Sequence, residues 1–574
     1  MSGKLGCIKT ARLRCSMRVS GQEQVPVCGA MKKSKKSRDK KSEAPAPSFS
    51  PYWGYALLLL VILFFALIRI RLRDMPLERD EGEYAYAGQL ILQGIPPYQL
   101  AYNMKLPGTY AAYAVILSVF GQTPAGIHYG LLLVNAATTL LVFLLAARLF
   151  GQLAGLVAGA SYALLSTSQA VLGFAGHATH FVVLPAVAGV LLLLRAIESK
   201  RGWIFFCCGL LMGLAFVMKQ PGVLFGFFAG LYILKSESQP PVDYSGLARR
   251  VGWFSLGALL PFAVTCLLML RAGLFRKFWF WTFSYASQYG TNVSLRDGIH
   301  IFWMAFPEIL TSSLFLWIIA GVGLTALWWN RAARAQAAFV GWFLLFSFLA
   351  VCPGLYFRQH YFILMLPAVA LLVGLAVSAA TDSLGHNVFL RAVPVLVFLA
   401  ASVYAIADQH EFFFAMDPVT ACRETYGTNP FPEAIKIADY IKSQTTDGAR
   451  IAVVGSEPEI YFYSRRHSAT GYIYTYPLME PQKYASTMQR EMTSEIEGTR
   501  PEFLVFVDVP FSWLVRPQSD AYIFTWAETY LHDQYERVGI ADIGRTTEYR
   551  WGDEAKTYHP LSSWTVSVFK RRAP

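Results

Sequence analysis

A series of long apolar runs is the feature that most limits what this chain can fold into. Of its 574 residues, 55% are hydrophobic and only 15% are charged. A soluble protein of this length needs more charge to cover its surface. A helix of about 20 apolar residues can cross a bilayer. The number of apolar runs long enough to do so predicts a polytopic α-helical membrane protein with about eleven spans. These are residues 53–70, 127–149, 152–170, 178–196, 203–218, 222–236, 251–271, 307–329, 337–352, 361–380 and 388–407.

Two segments near the N-terminus fall outside this series. The short apolar segment 108–120 is expected to form an interfacial or re-entrant helix. Residues 1–50 lack the apolar core of a signal peptide and carry the basic run "KKSKKSRDKK" from Lys32 to Lys41. We interpret them as a disordered cytoplasmic tail that contacts anionic lipid, so the net charge of +13 does not indicate a nucleic-acid partner.

Orientation follows from the distribution of Lys and Arg between alternating short loops. Basic residues concentrate in one set, which is therefore expected to be cytoplasmic together with the N-terminus. That set contains Arg148, Arg195, Lys200, Arg201, Lys235, Arg249, Arg250, Arg331, Arg334 and Arg391. Arg69, Arg71 and Arg73 oppose the trend, but the N-terminal cluster is larger. The outer face then receives the loop from Arg71 to about Ser118, the loop from Ala272 to Phe306, and everything after about Asp408.

The chain changes character after Asp408. "RIAVVG" (Arg450 to Gly455) and "EFLVFVD" (Glu502 to Asp508) have the composition of buried strands. Helical patterns cover Pro432 to Ser443 and Met479 to Gly498. Strands alternating with helices indicate a small α/β domain outside the membrane. The sequence thus predicts three parts: a tail (1–50), a transmembrane domain (51–407) and an extracytoplasmic α/β domain (408–574).

A dense acidic stretch directly follows the first span. In "LERDEGEYAYAG", Asp80 and Glu81 stand where the chain should emerge on the outer face. One explanation is structural, because acidic residues cap a helix and complement its N-terminal dipole. The other is chemical, because charge at a membrane face is expensive unless it is solvated or used. Before any resemblance is considered, the two explanations have equal weight.

Cations at other outer helix ends favour the chemical explanation. Lys105, Lys219 and Arg358 each stand next to a predicted span, and His360 follows Arg358. A carboxylate can deprotonate an acceptor hydroxyl, and Lys and Arg can hold a departing phosphate. That combination suits glycosyl transfer from a sugar linked to a lipid phosphate. Taken singly, each cation is more typical of an interfacial anchor.

No metal site or cofactor is expected. His177 and His180 are spaced to share a helix face, but no third ligand is visible, which favours a structural histidine pair. The eight cysteines show no CxxC or Cys/His spacing, so neither a zinc site nor a disulfide framework is implied.

The residues of the first outer loop resemble a known family. Asp80 and Glu81, then Tyr84 and Ala85, then Lys105 and Pro107 are similar to the pattern of the GT-C membrane glycosyltransferases. The resemblance is to the protein O-mannosyltransferases (glycosyltransferase family 39) and the bacterial lipid A aminoarabinose transferases. The segment "RQHYFILMLPAVALL", from Arg358 to Leu372, is also similar to a late His-Tyr segment of bacterial members.

This resemblance implies an inverting transfer from a polyprenyl-phosphate sugar to a lipid or protein acceptor at a bacterial inner membrane. It implies that Asp80 is catalytic, with Glu81 in support, and that Lys105, Lys219 and Arg358 bind the donor phosphate. Tyr84, His360 and Tyr361 become candidate substrate-binding residues. Two departures leave the sugar and the acceptor open: Glu83 stands where the bacterial form usually has Arg, and Gly108 where it usually has a second Pro.

Two other functional classes remain open from the sequence. A transporter or lipid flippase would place charges and paired broken helices at the bilayer midplane, whereas here the charges cluster at one face. A catalytically inactive membrane scaffold that binds a partner through its outer domain is also compatible with the pattern.

Overall fold

Six helices are long and apolar enough to cross a membrane, and a seventh span is possible if a pair bent by 106° counts as one. In the computed structural model of the chain, residues 52–238, 243–385 and 387–573 are described. The predicted tail, residues 1–50, lies outside them. The six long helical segments are Trp53–Arg71, Pro124–Phe150, Ala178–Ser199, Tyr244–Arg271, Gln359–Ser383 and Val388–Asp408.

The expected number of about eleven spans is not confirmed. Four further apolar helices have only 10–17 residues: Gly108–Phe120, Gln152–Leu165, Gly202–Met218 and Ala337–Val351. At 1.5 Å per residue, such helices fall short of the roughly 30 Å hydrocarbon core. The polytopic helical class is as predicted, and 108–120 does form a separate short helix.

Within the described residues, the membrane part contains seventeen α-helices, several of which are short. In chain order they are α1 (Trp53–Arg71), α2 (Arg79–Leu92), α3 (Gly108–Phe120), α4 (Pro124–Phe150), α5 (Gln152–Leu165), α6 (Ala178–Ser199), α7 (Gly202–Met218), α8 (Val223–Glu237), α9 (Tyr244–Arg271), α10 (Phe275–Trp279), α11 (Ala286–Thr291), α12 (Leu295–Thr311), α13 (Leu314–Trp329), α14 (Arg331–Ala335), α15 (Ala337–Val351), α16 (Leu366–Ser383) and α17 (Val388–Asp408). A 3-10 segment, Gln359–Met365, leads directly into α16.

The C-terminal part forms the predicted α/β unit around a six-stranded sheet. Its elements are α18 (Pro418–Tyr426), α19 (Phe431–Gln444), β1 (Arg450–Val454), α20 (Glu459–Ser464), β2 (His467–Ser468), α21 (Tyr476–Met479), α22 (Ala485–Thr499), β3 (Phe503–Asp508), α23 (Pro510–Trp513), α24 (Tyr522–Gln534), β4 (Tyr535–Ile543), β5 (Thr547–Trp551), α25 (Asp553–Thr557) and β6 (Thr565–Arg571).

The sheet is mixed, with strand order β2-β1-β3-β6-β4-β5. β1 runs parallel to β2 and β3, while β6 lies antiparallel between β3 and β4. The two strands predicted from sequence are β1 and β3, and they pair in register from Ile451 opposite Phe503 to Val454 opposite Phe506. β1 is buried along most of its length, which explains its continuous apolar composition.

One apolar core joins the segment after α1 to this sheet. Leu77, Tyr84 and Tyr86 of the loop region belong to the same buried cluster as Val453 of β1 and Val568 of β6. Helix α2 packs on α20 so closely that a Cβ at Gly82 would stand 2.6 Å from the backbone nitrogen of Glu459. The acidic start of α2 is therefore held between the membrane helices and the C-terminal domain.

Candidate functional site

Glu78 and Glu81 cap helix α2. The Glu78 carboxylate accepts a hydrogen bond from the Glu81 backbone N–H at 2.9 Å, and the Glu81 carboxylate receives one from the Glu78 N–H at 3.4 Å. This reciprocal arrangement is a capping box. The capping explanation for the acidic stretch therefore applies to these two residues, and Asp80 between them is left for another role.

Glu81 also connects α2 to its neighbours. Its Oε1 accepts a hydrogen bond from the Gly176 N–H at 2.6 Å and lies 3.2 Å from His128 Nε2. The side chain is fully buried and does not line the cavity described below. Glu81 thus anchors the start of α2 next to Asp80 and does not reach the cavity.

Asp80 faces two different environments with its two oxygens. Oδ1 accepts hydrogen bonds from Lys105 Nζ at 2.8 Å and from the Tyr474 hydroxyl at 2.9 Å. Oδ2 lies 3.7 Å from His177 Nδ1 and 4.0 Å from His360 Nε2, both too long for a direct hydrogen bond. Burial alone would raise the pKa of Asp80, but Lys105 and the two histidines outweigh it and hold the pKa well below its usual value.

Lys105 is enclosed by acidic and aromatic groups. Besides Asp80, it donates to Glu83 Oε2 at 2.7 Å, and its ammonium lies 4.6 Å from the centre of the Tyr84 ring. Glu83 in turn accepts hydrogen bonds from Tyr110 and Asn103. Tyr84, which was a candidate substrate-binding residue, is buried beneath Lys105 and does not line the cavity. Glu83, the departure from the bacterial pattern, is here a partner of Lys105.

Two further cations face the same space without a carboxylate partner. Lys219 Nζ lies 4.0 Å from the centre of the Tyr361 ring, and Arg358 lies 5.9 Å from the centre of the Tyr356 ring. Across the described ranges, neither has an acidic group within ion-pair distance. Desolvation lowers the pKa of Lys219 to about 7, and the charges of Lys105 and Arg358 act in the same direction against the opposing effect of Asp80.

Asp80 and the three cations line one cavity of about 520 Å³. The structure brings together six of the residues singled out from the sequence: Asp80, Lys105, Lys219, Arg358, His360 and Tyr361. They come from four separate parts of the chain, namely α2, the loop before α3, the turn between α7 and α8, and the segment that leads into α16.

Three of the cavity groups could also hold a divalent cation. The rings of His177 and His360 stack with centres 3.9 Å apart, and ligand atoms of Asp80, His177 and His360 all lie within 4.8 Å of one another. The sequence suggested His177 and His180 as a pair, without a visible third ligand. His180 lies outside this group, and the histidine that joins His177 comes from a segment far along the chain.

The C-terminal domain contributes cavity residues that sequence reasoning missed. Tyr474, Tyr476 and Glu480 line the cavity. Burial raises the pKa of Glu480 to about 7 despite a hydrogen bond from Tyr285. The only signal for this contribution was the tyrosine-rich segment "GYIYTYP" from Gly471 to Pro477.

Part of the sequence and the overall fold are similar to those of known proteins. Residues 105–264 match the sequence family model described as dolichyl-phosphate-mannose-protein mannosyltransferase. Among curated proteins, none matches the chain. The crystal structure of ArnT from Cupriavidus metallidurans, bound to undecaprenyl phosphate, superposes with a TM-score of 0.58 at 16% identity, covering 91% of this chain and 98% of ArnT.

A second, more distant fold match is the archaeal oligosaccharyltransferase AglB from Archaeoglobus fulgidus, in complex with an inhibitory peptide and a dolichol-phosphate. Its TM-score is 0.50 at 14% identity, covering 89% of this chain and 75% of AglB. The family model and the shared fold confirm the predicted resemblance, which is to a GT-C membrane glycosyltransferase similar to the protein mannosyltransferases and ArnT.

Proposed function

We propose that this protein transfers a sugar from a polyprenyl-phosphate donor to an acceptor hydroxyl at the extracytoplasmic face of a bacterial plasma membrane, with inversion at the anomeric carbon. One observation carries the proposal. A single cavity holds Asp80, with one oxygen open, and the two cations Lys219 and Arg358, which have no carboxylate partner within the described ranges. The ArnT and AglB structures contain undecaprenyl phosphate and dolichol-phosphate, so lipid phosphates are ligands of this fold.

Charge development on the donor explains why unpaired cations matter. A sugar joined to a polyprenyl phosphate is a phosphodiester with one negative charge, and the departing polyprenyl phosphate approaches two. Cations at Lys219 and Arg358 therefore interact more strongly with the leaving group than with the bound donor. Only such a difference lowers the barrier of the chemical step.

The acceptor side of the reaction is assigned to Asp80. The acceptor hydroxyl gives its proton to Asp80 Oδ2 as its oxygen attacks the anomeric carbon. The bond from that carbon to the phosphate oxygen breaks, and its electron pair stays on the phosphate. The low pKa of Asp80 keeps it ionised but makes it a weak base in the empty site. The negative charge of an arriving phosphate would raise the pKa of Asp80 and strengthen it as a base.

The test is a transfer assay with the purified protein in proteoliposomes, using radiolabelled polyprenyl-phosphate sugars and membrane lipid or peptide acceptors. Asp80→Asn should keep expression and folding but reduce transfer by roughly a hundredfold or more, because an amide is a poor general base. The matched control is Asp74→Asn. Asp74 is an exposed acidic residue of the same loop and does not line the cavity. Full transfer by Asp80→Asn would show that the charge at position 80 is structural.

A further inference from the structure

We propose that Tyr474, a residue of the C-terminal domain, is a positioning residue for Asp80, so that the domain outside the membrane completes the active site. This inference rests on the proposed function. It starts from the hydrogen bond that the Tyr474 hydroxyl donates to Asp80 Oδ1 at 2.9 Å across the domain boundary.

Tyr474 and Lys105 together occupy Oδ1. With both donors on one oxygen, the carboxylate plane is fixed and Oδ2 points toward the histidines and the cavity. Because Lys105 and Tyr474 both donate to Oδ1, Oδ2 is left as the oxygen that accepts the proton. Tyr474 is itself buried, with 8% of its surface exposed, and its ring lies 5.5 Å from Lys105 Nζ.

The sequence neighbours of both partners contact one shared residue, Ser456. The carbonyl oxygen of Ser456 accepts a hydrogen bond at 2.5 Å from the side-chain Nε of Arg79, which directly precedes Asp80. The Ser456 hydroxyl accepts a hydrogen bond at 2.9 Å from the N–H of Thr475, which directly follows Tyr474. These contacts link the start of α2 to the segment that carries Tyr474.

The close contact at Gly82 fixes the register of this arrangement. No side chain fits between α2 and α20 there, because a Cβ would meet the Glu459 backbone. This close packing seats the start of α2 directly on the C-terminal domain that carries Tyr474.

The first experiment compares Tyr474→Phe with Tyr472→Phe in the transfer assay. Tyr472 is a matched control, because it lies two residues away, is also buried, and donates its hydroxyl to a carboxylate, that of Glu491, outside the cavity. Loss of a hydrogen bond to a charged group should lower kcat about tenfold in Tyr474→Phe while the donor KM stays unchanged. A purely structural role would change both variants alike, and equal kcat values would overturn the proposal.

The second experiment does not depend on activity. A double-mutant cycle on thermal unfolding in detergent combines Tyr474→Phe with Asp80→Ala. Tyr474→Phe should lower Tm in the wild-type background and cause no further loss in the Asp80→Ala background. Additive losses would show that the two side chains do not interact and would overturn the proposal. If the wild type transfers no polyprenyl-phosphate sugar, the proposed function fails, and this cycle still decides whether Tyr474 holds Asp80.

Discussion

Glu83 Oε2 lies 2.7 Å from Lys105 Nζ, so a carboxylate one helical turn after Asp80 holds the same ammonium as Asp80 does. Glu83 is fully buried and also receives the Tyr110 hydroxyl. The position at which this chain departs from the bacterial pattern is therefore filled by a residue with three partners, counting Asn103.

We expect Glu83→Arg to destabilise the protein, although the resemblance alone would predict that arginine is tolerated there. The substitution removes the buried partner of Lys105 and places a second cation against it. Breaking a buried ion pair costs about 3–5 kcal/mol. The free energy of unfolding in detergent should fall accordingly, while Glu83→Gln, which keeps the hydrogen-bond acceptor, should lose much less. A stable, active Glu83→Arg protein would contradict this account of the site.

Donor binding should weaken as pH rises through the pKa of Lys219. Because that pKa lies at about 7 in the empty cavity, the ammonium is present below this value and is lost above it. The donor KM should therefore increase between about pH 7 and about pH 9, whereas Arg358 stays charged. Steady-state kinetics across this range in Lys219→Arg, which cannot lose its charge, should show a flat KM. The same rise in KM in both proteins would exclude Lys219 as its source.

The cavity should open on the extracytoplasmic face. The basic bias of one loop set motivates this prediction. A reporter fused after Phe569 should be active only outside the cytoplasm, and a reporter fused after Arg250 only inside. Reversed activity of both fusions would place the proposed chemistry on the cytoplasmic side.

The Arg79–Glu457 ion pair should hold the C-terminal domain against α2. Arg79 Nη2 lies 2.8 Å from Glu457 Oε1, and the Glu457 side chain is completely buried. Arg79→Ala leaves that carboxylate without its cation and should cost about 3–5 kcal/mol of stability. The double variant Arg79→Met with Glu457→Gln should recover part of the loss in Tm. If the Tm of the double variant does not rise above that of Arg79→Ala, the loss of stability comes from the other contacts of Arg79.

Much of this arrangement was predictable because single segments carried enough information. The buried strands β1 and β3 have continuous apolar composition, and both were located within about two residues. Asp80, Lys105, Lys219 and Arg358 stood out because charge next to an apolar span is costly. Their convergence on one cavity required only that the corresponding helix ends lie on the same face.

The remainder depends on contacts between distant segments. The pairing of His177 with His360 and the bond from Tyr474 to Asp80 arise from tertiary packing, which no local spacing encodes. The count of spans is not confirmed for a different reason: hydropathy detects apolar runs, but within such runs α5 has 14 residues and α15 has 15, too few to cross the hydrocarbon core unaided. Capping was a hypothesis for Asp80 and Glu81, and the structure gives that role to Glu78 and Glu81.

The shared core of the segment after α1 and the sheet has a consequence for biogenesis. Asp80 is made long before β6, but the cluster that packs Tyr84 includes Val566 and Val568 of that strand. The core around α2 is therefore complete only once β6 has been made and the C-terminal domain has folded. A truncated chain that lacks β6 leaves α2, and with it Asp80, without part of its packing.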